Sequence, residues 1–579
     1  MTNERVFGAR EIAPFLALAC VSIAALGYLA YYWFFGESRS LENPLLWLAA
    51  AFFFPGVIFY ELRFLALPFM VRPAELPPTD GLRVAAVTTF VPGAEPIEML
   101  EATLGALVTM DYPHDTWVLD EGNSPAVKAL CERYGARHFS RRNHPESQTA
   151  EGRLRSRTKH GNYNAWLDAV GFDSYDIIAS FDPDHIPSRR YLVETLGYFS
   201  DASIGYVQAA QVYYNQGASF IARGAAEETY AYYSSLMMSA YANGCPIVTG
   251  CHTVHRTAAL KQVGGFAPHD ADDLLITLLY RAARWRGVYV PRRLAIGLTP
   301  VDWSGYLNQQ RRWARSVLDI KLRLYPKLAR KLPFRERLMA FFQGLYYLHG
   351  AAVAISLGIL AFVLLSGNAP IAVGPSMIVR LLLLWVVLQL CDFYRQRFYL
   401  HPRQERGVHW RGAFLRFAKW PYVAFALVEA IFRRDRGYAI TPKVKGDRTF
   451  ATLPHVLTVL LIATAWILGT WHNTIHSHVF DALAAAVVAA SAAVILTEFL
   501  DFPPPFGRRL AGEAIARFLV GYDNPSDTAV NEMPSQKDAA EREACCGANS
   551  SREKLAALGQ HGDRLRLPPS VTSPRAIDS

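Results

Sequence analysis

Six long apolar runs restrict what this chain of 579 residues can fold into. A run of about 20 apolar residues is long enough to cross a hydrocarbon core about 30 Å thick as an α-helix. The hydrophobic share of 51% is also high for a soluble protein. We therefore predict a membrane protein with spans at Pro14 to Phe35, Pro44 to Tyr60 continuing to Val71, Phe341 to Leu365, Ile371 to Cys391, Leu453 to Trp471 and Val479 to Leu500.

A seventh apolar stretch, Trp410 to Phe432, is interrupted by Arg411, Arg416, Lys419 and Pro421. Each such charge at the centre of a bilayer costs about 2.5–3.5 kcal/mol on insertion scales. The pattern therefore favours a helix lying in the membrane interface over a seventh span.

The distribution of Lys and Arg predicts the orientation. The short loops 36–43, 366–370 and 472–478 together contain a single Lys or Arg, which is Arg39. The other connections are rich in basic residues. Basic residues stay on the cytosolic side, so both termini and the long segment from about residue 72 to 339 are predicted to be cytosolic, at the cell (inner) membrane. The net charge of +9 is concentrated beside apolar runs, which indicates contact with an anionic bilayer and not with nucleic acid.

The seven cysteines lack C-x-x-C pairs and histidine partners at zinc-finger spacing. We therefore expect reduced thiols, with neither a disulfide framework nor a structural metal.

The cytosolic segment alternates short β-branched runs with helical ones, which predicts an α/β fold. The predicted strands are Val84 to Phe90, Thr116 to Leu119, Ile177 to Phe181 and Gly205 to Val212, and the predicted helices include Ile97 to Met110 and Ala126 to Tyr134. In open α/β sheets, ligands bind beyond the carboxyl ends of the strands. Residues that directly follow a strand are therefore the candidates for a site.

Two predicted strands end in acidic residues. Asp120 closes the run WVLD, and Asp182 and Asp184 follow the strand IIASF. A divalent cation carrying a diphosphate would compensate such carboxylates, because magnesium is held by one or two carboxylates together with substrate phosphates. The alternative is a solvated turn with Pro183 at its corner.

Two further groups lie downstream. Asp272 and Asp273 precede an amphipathic helix, where an aspartate can also serve simply as a cap. The run NQQRRWARS contains Gln309, Arg312 and Trp313 and can bind phosphate and sugar, because arginine binds phosphate through a planar fork and an indole packs on a sugar ring. The alternative is a basic juxtamembrane helix with an aromatic anchor.

In this order the motifs resemble those of the processive family 2 glycosyltransferases of the cellulose and curdlan synthase group. That family carries an early Asp, D-x-D, T-E-D, Q-x-x-R-W and an F-x-V-T-x-K gating segment. The corresponding segments are DEG, DPD, ADD, QQRRW and YAITPK, with KHGNYNA resembling a K-A-G-N segment. The resemblance spans roughly residues 1 to 500 and implies a GT-A glycosyltransferase domain within a multi-span helical membrane protein.

The resemblance also implies roles for individual residues. Asp120 would contact the uridine, Asp182 and Asp184 would bind nucleotide and metal, and Asp273, or its neighbour Asp272, would be the general base. The other implied nucleotide-sugar contacts are Lys159, Gln309, Arg312, Trp313, Thr441 and Lys443, and the implied acceptor contacts are Gly250, Cys251 and Trp313. The implied cofactor is a divalent metal, Mg²⁺ or Mn²⁺.

Three departures from the family pattern qualify these expectations. Ala271 and Asp272 stand where the family has Thr and Glu, which leaves the base open between Asp272 and Asp273. FVPGAEP replaces the usual P-T-Y-N-E-P, which leaves the uracil pocket open. The tail lacks a PilZ-like pattern, so direct activation by cyclic di-GMP is not predicted.

The resulting prediction is a processive inverting hexosyltransferase of the β-glucan synthase type. It polymerises a nucleotide sugar, with UDP-glucose favoured, extrudes the growing polysaccharide through its own helices, and can use accessory secretion subunits. The alternatives are a nonprocessive enzyme that adds one sugar to a lipid, and a transporter with a cytosolic regulatory domain. The predicted organisation is two transmembrane helices in 1–71, the GT-A domain in 72–339, two helices in 340–400, the interfacial helix and gating loop in 401–452, two helices in 453–502 and a largely disordered cytosolic tail in 503–579.

Overall fold

The computed structural model describes residues 2–36, 44–369, 374–402, 404–433, 450–472, 474 and 477–500. Thr441 and Lys443 of the predicted gating segment lie outside the described residues, as does the predicted tail from residue 503.

The α-helices occupy both apolar and amphipathic segments. In chain order they are α1 (Ala9–Phe35), α2 (Pro44–Leu65), α3 (Ile97–Leu107), α4 (Pro125–Tyr134), α5 (Lys159–Trp166), α6 (Phe172–Ser174), α7 (Tyr191–Leu196), α8 (Phe220–Glu227), α9 (Met237–Ala242), α10 (Thr257–Val263), α11 (Asp272–Ala282), α12 (Trp303–Asp319), α13 (Tyr325–Ala329), α14 (Phe334–Phe342), α15 (His349–Ser366), α16 (Pro375–Arg395), α17 (Trp410–Ala418), α18 (Trp420–Ile431), α19 (Leu453–Trp471) and α20 (His478–Phe499).

The strands form two sheets. They are β1 (Asn3–Arg5), β2 (Val71–Pro73), β3 (Val84–Phe90), β4 (Asp115–Asp120), β5 (Arg137–Phe139), β6 (Ile177–Phe181), β7 (Ile186–Pro187), β8 (Ile204–Tyr213), β9 (His252–Arg256) and β10 (Arg286–Gly297). β1 pairs with β2, and the other eight form a mixed sheet in the order β5-β4-β3-β6-β9-β8-β10-β7. β9 runs antiparallel to both of its neighbours, whereas β5, β4, β3 and β6 are mutually parallel.

The sheet is buried on both faces. Successive side chains of a strand point to opposite sides of the sheet, and both sets are in apolar clusters. On β3, Val84 and Ala86 belong to one apolar cluster, and Ala85 and Val87 belong to another. The first cluster continues into residues of α1, α2 and α16, so this face of the domain is continuous with the apolar helices. This mixed α/β sheet confirms the predicted GT-A class, and the predicted strands β3 and β6 have the predicted bounds.

Six helical segments among the described residues are long and apolar enough to span a membrane: Ala9–Phe35, Pro44–Leu65, Phe334–Ser366, Pro375–Phe398, Leu453–Trp471 and His478–Phe499. Their number agrees with the prediction and confirms a multi-pass membrane protein. The third segment is interrupted, because Gly344 adopts a positive φ of 82° between α14 and α15. Hydropathy alone does not predict this break.

The stretch predicted as one interfacial helix forms two short helices, α17 and α18, that meet at Lys419. The Lys419 ammonium is buried and donates to the Glu228 carboxylate at 2.8 Å and to Gln310 Oε1 at 2.9 Å. Arg311 donates to Glu429 on α18 at 2.9 and 2.5 Å. The Arg311–Glu429 ion pair and the Lys419–Gln310 hydrogen bond attach α17 and α18 to α12 of the glycosyltransferase-like domain. The Lys419–Glu228 ion pair attaches them to the end of α8.

Candidate active site

Two acidic residues predicted for the site lie at the carboxyl edge of the parallel strands. Asp120 ends β4 opposite Phe90 of β3, and Asp182 follows Phe181, which pairs with Thr88 of β3. The two aspartates are therefore two strands apart, roughly 10 Å at the usual strand spacing of about 4.8 Å. This is the edge at which α/β sheets bind ligands.

Asp120 is fully buried, and its carboxylate organises the turn that follows β4. It accepts hydrogen bonds from the backbone N–H groups of Gly122 at 2.8 Å and Ser124 at 2.5 Å. His138 Nε2 lies 3.1 Å from the same carboxylate. Asp120 thus fixes the local backbone at the sheet edge, and its contact with a uridine stays a prediction.

The Asp182 carboxylate has a cationic partner. Lys159 Nζ, at the start of α5, donates to Asp182 Oδ1 and to the Gly250 carbonyl oxygen, both at 2.5 Å. Burial lowers the pKa of Lys159, but the negative charges of Asp182 and Asp272 outweigh burial and raise it well above its usual value. Lys159 therefore stays charged and joins the D-P-D loop to the segment that precedes β9.

Asp184 is buried directly beside His185. His185 Nδ1 lies 3.1 Å from Asp184 Oδ1, and ligand atoms of Asp182, Asp184 and His185 all lie within 4.8 Å of one another. Two carboxylates on one turn are a fitting donor set for a hard divalent cation that also binds phosphate oxygens. His185 was not among the predicted site residues, although it directly follows the D-P-D motif in the sequence.

Asp272 and Asp273 begin α11 and line one small cavity together with Lys159, Gly250 and Ser180. Burial, and then the charge of Asp272, raise the pKa of Asp273 to about 7. Burial also raises the pKa of Asp272, while Lys159 opposes this effect. The charge of each carboxyl group affects the other, so the two titrate as a pair.

Gly250 brings the backbone of the segment before β9 against Asp273. It adopts a φ of +74°, and a Cβ at this position would lie 3.1 Å from the Asp273 Cβ and 3.3 Å from its Oδ2. A side chain here would therefore be strained and would press on the carboxylate. By contrast, the predicted acceptor residue Cys251 is buried beside His185 and His252 and does not line the Asp272–Asp273 cavity.

α12 presents the Q-Q-R-R-W motif. Its two arginines diverge: Arg311 pairs with Glu429, whereas Arg312 lies close enough to Asp272 and Asp273 for its charge to lower the pKa of both. Gln309 is buried and Trp313 is half-buried on the same helix. The structure thus brings Lys159, Asp182, Asp272, Asp273, Gly250 and Arg312 into one region.

Comparison with known proteins agrees with this architecture. Residues 85–316 match the family model described as glycosyltransferase-like family 2. The chain is 27% identical over 294 residues to a UDP-forming cellulose synthase catalytic subunit of Xanthomonas axonopodis pv. citri (strain 306), covering 49% of this chain and 38% of that protein. A second relative, from Pseudomonas fluorescens (strain SBW25), is 25% identical over 348 residues, covering 55% of this chain and 45% of the relative.

The chain therefore spans less than half the length of these two curated relatives. Among solved structures, it is similar to the mannosyltransferase PcManGT from Pyrobaculum calidifontis in complex with GDP-Man and Mn²⁺, with 17% identity, a TM-score of 0.46, and coverage of 72% of this chain and all of that one. Residues 85–316 thus match the glycosyltransferase-like family 2 model, and the matched part of the chain is similar to cellulose synthase catalytic subunits.

Proposed function

We propose that the protein is a processive, inverting glycosyltransferase that polymerises a nucleotide sugar, with UDP-glucose as the favoured donor, into a β-glucan. The observation that carries this proposal is the convergence of Asp273, Asp272 and Lys159 on one cavity at the carboxyl edge of the sheet. The two cellulose synthase relatives described above are both UDP-forming catalytic subunits by name, which supports the choice of donor and product.

Asp182 and Asp184 would hold a divalent cation, Mg²⁺ or Mn²⁺, together with the donor diphosphate. When bound, that cation supplies Lewis-acid stabilisation of the charge on the leaving diphosphate. Lys159 holds Asp182 at 2.5 Å and so fixes the position of the loop before the donor binds. Arg312 and Gln309 of α12 would contact the diphosphate from the other side of the cleft.

The reaction is an in-line displacement at the anomeric carbon. The terminal hydroxyl oxygen of the polymer forms the new bond to the anomeric carbon, the bond from that carbon to the phosphate oxygen breaks, and the nucleoside diphosphate leaves with the electron pair. Asp273 accepts the hydroxyl proton. A general base works best when its pKa lies near the operating pH, and the Asp273 pKa of about 7 meets this condition.

Asp272 contributes to that basicity, because its negative charge raises the pKa of Asp273. Asp273 is the preferred base because Gly250, which has no side chain, packs against it and leaves its carboxylate open to the cavity. Asp272 is then a positioning residue that tunes its neighbour. Of the two candidate bases that the sequence leaves open, Asp273 is therefore the proposed base and Asp272 its neighbour.

Coupling of synthesis to translocation is proposed from the attachment of α12 to α18 and α17. The Arg311–Glu429 ion pair and the hydrogen bond from Lys419 to Gln310 join the helix that carries Trp313 to α17 and α18, and α18 packs on α15, one of the apolar helices. An acceptor held by Trp313 would therefore lie next to the membrane helices through which the polymer leaves. The glycosyltransferase domain would lie on the cytosolic side of the inner membrane, and accessory secretion subunits would receive the product on the other side.

The test uses the purified full chain in lipid nanodiscs with radiolabelled UDP-glucose and a divalent cation. We expect a polymer whose length increases with time, and we expect Asp273→Asn to bind UDP normally while losing polymer formation. Asp173→Asn is the matched control, because this aspartate on α6 is exposed and does not line the cavity.

Two results would contradict the proposal. Unimpaired polymer formation by Asp273→Asn would remove this residue from the role of base. A product that stays at one sugar on a lipid acceptor, independent of reaction time, would identify a nonprocessive transferase instead.

A further inference from the structure

We propose that His185, Cys251 and His252 form a second metal site, distinct from the carboxylate pair, that takes a thiophilic divalent ion of the zinc class. The site lies behind the D-P-D loop, in the interior of the glycosyltransferase domain. It uses a buried thiol and a buried histidine that the proposed reaction does not require.

The three residues come together because β9 pairs with β6. His252 begins β9 opposite Phe181, the last residue of β6, and the Asp182 N–H donates to the Cys251 carbonyl oxygen at 2.8 Å. This pairing places Cys251 and His252 beside the turn that carries His185. Ligand atoms of the three side chains lie within 4.8 Å of one another, and all three residues are buried.

His252 supplies the strongest indication of a missing ligand. Its side chain is fully buried, and neither ring nitrogen has a hydrogen-bond partner among the described residues. The backbone of Ala209 and Ala210 lies near the ring, but neither residue meets the geometry of a hydrogen bond to it. A buried polar group without a partner costs about 1–3 kcal/mol, so buried imidazoles are normally satisfied. Tyr191, whose ring lies edge-on to His252 with 6.1 Å between centroids, also has a buried hydroxyl with no hydrogen-bond partner in the described part of the chain.

His185 already has the environment of a metal-ligating histidine. Such a histidine usually gives one ring nitrogen to the metal while the other donates its N–H to a carboxylate. Here Nδ1 faces Asp184 Oδ1 at 3.1 Å, which leaves Nε2 for the ion. Gln211 Nε2 lies 3.1 Å from the His185 Nε2, so binding requires this amide to move aside.

The donor set determines the class of ion. Two imidazoles and a thiolate favour Zn²⁺ and its analogue Co²⁺, whereas magnesium and calcium prefer oxygen ligands. Zinc-to-ligand bonds of about 2.0–2.3 Å place tetrahedral ligand atoms roughly 3.5 Å apart. The cluster must therefore close by roughly 1 Å, which small side-chain rotations can supply.

The neighbouring Asp182–Asp184 pair offers a different chemistry. Its carboxylates suit the hard cation that accompanies a nucleotide diphosphate. His185 contacts Asp184, so the two sites are adjacent, yet they select ions by different ligand types. The test can therefore separate them.

The experiment titrates Co²⁺ into metal-stripped full-length protein in detergent. We expect one equivalent to bind with a thiolate-to-cobalt charge-transfer band in the near ultraviolet and a tetrahedral visible spectrum, and Zn²⁺ to displace it. Cys251→Ser should abolish the charge-transfer band, and His252→Gln should weaken Co²⁺ binding by more than the roughly 10- to 100-fold typical of losing an outer-shell partner.

The matched control is Cys245→Ser, which changes another buried cysteine outside the cluster and should keep the band. Asp182→Asn should also keep it, while lowering Mn²⁺ binding in the presence of UDP. Two results would overturn the proposal: the absence of a thiolate band in the unaltered protein, or a band that persists in Cys251→Ser. Neither result depends on the enzyme's sugar substrate, so failure of the zinc-class site would leave the proposed function untouched.

Discussion

The D-P-D loop and the start of α11 each bring two carboxyl groups to the active-site region, yet their surroundings differ. Asp182 has a lysine ammonium at 2.5 Å, and the side chain of Asp182 remains 31% exposed. Asp273 lies beside another carboxylate in a small cavity, where burial and the charge of Asp272 raise its pKa to about 7. Asp182 thus has a cationic neighbour, whereas Asp273 has an anionic one that raises its pKa.

The difference teaches which task each pair can perform. A cation-binding carboxylate must be ionised at neutral pH, and a nearby ammonium favours the ionised form. A general base must both give up and accept a proton near the working pH, which a buried like-charge pair achieves. Under the proposed function, the same residue type takes two roles that are set by its neighbours and not by its own chemistry.

The largest expected effect comes from removing the charge of the D-P-D loop. Asp182→Asn combined with Asp184→Asn should lower polymer formation by about 10³-fold or more, because metal stabilisation of a leaving group is worth several kcal/mol. Nucleotide binding measured by calorimetry with Mn²⁺ should also be lost, unlike in Asp273→Asn. Asp80→Asn, at an exposed position, is the control, and retained Mn²⁺-dependent UDP binding in the double variant would break the division of roles.

A smaller effect is expected from Lys159→Met. This change removes the ammonium that bonds to Asp182 and to the Gly250 carbonyl oxygen, so the loop and the segment before β9 lose their link. We expect activity to fall about 10- to 100-fold, the free energy of unfolding to fall by about 1–3 kcal/mol, and a higher concentration of divalent cation to be needed for half-maximal rate. Lys128→Met, on the exposed side of α4, should change none of these.

Much of this arrangement could be predicted from the sequence. Strands β3 and β6 have the predicted bounds because each is a short run of mostly apolar and β-branched residues, and Asp182 was placed at a strand end because it directly follows one of these runs. The six apolar segments follow from length and hydropathy alone. These features are local, so the sequence carries them directly.

The remaining features depend on contacts between distant segments. Antiparallel β9 brings Cys251 and His252 next to His185, although 66 and 67 residues separate them in sequence, and no spacing rule predicts such a cluster. Likewise, the choice between Asp272 and Asp273 depends on which carboxylate faces Gly250, and the break at Gly344 depends on a positive φ. The sequence identifies the residue types there but not their spatial partners.

Gly250→Ala tests whether Asp273 needs the space that this glycine leaves. The new Cβ would lie 3.1 Å from the Asp273 Cβ, in a backbone conformation with φ of +74°. We expect about a tenfold loss of rate, since the left-handed conformation costs about 1–2 kcal/mol for a non-glycine residue and the carboxylate is displaced as well. The measurement is the initial rate of polymer formation at saturating donor.

Gly264→Ala separates the two causes. Gly264 follows α10 with a similar φ of +88°, but no described atom lies within 4 Å of the point that an alanine Cβ would occupy there. Its replacement by alanine should lower the melting temperature by about as much as Gly250→Ala does, because both glycines have a positive φ. The rate of polymer formation should stay unchanged. Equal losses of activity in both variants would show that Gly250 acts only through backbone stability.

The smallest and most specific effect concerns pH. A base must be deprotonated to act, so below its pKa the rate should fall about tenfold for each pH unit, and for Asp273 this decline should begin near pH 7. Asp272→Asn removes the second-largest cause of the raised Asp273 pKa and leaves burial. The acid limb of the pH–rate profile should therefore move to lower pH. At pH 6 the variant should then retain a larger fraction of its own maximal rate than the unaltered enzyme does. An unchanged acid limb in Asp272→Asn would mean that the pH–rate profile reports the titration of a group other than Asp273. The proposed difference between the two acidic pairs would then be contradicted.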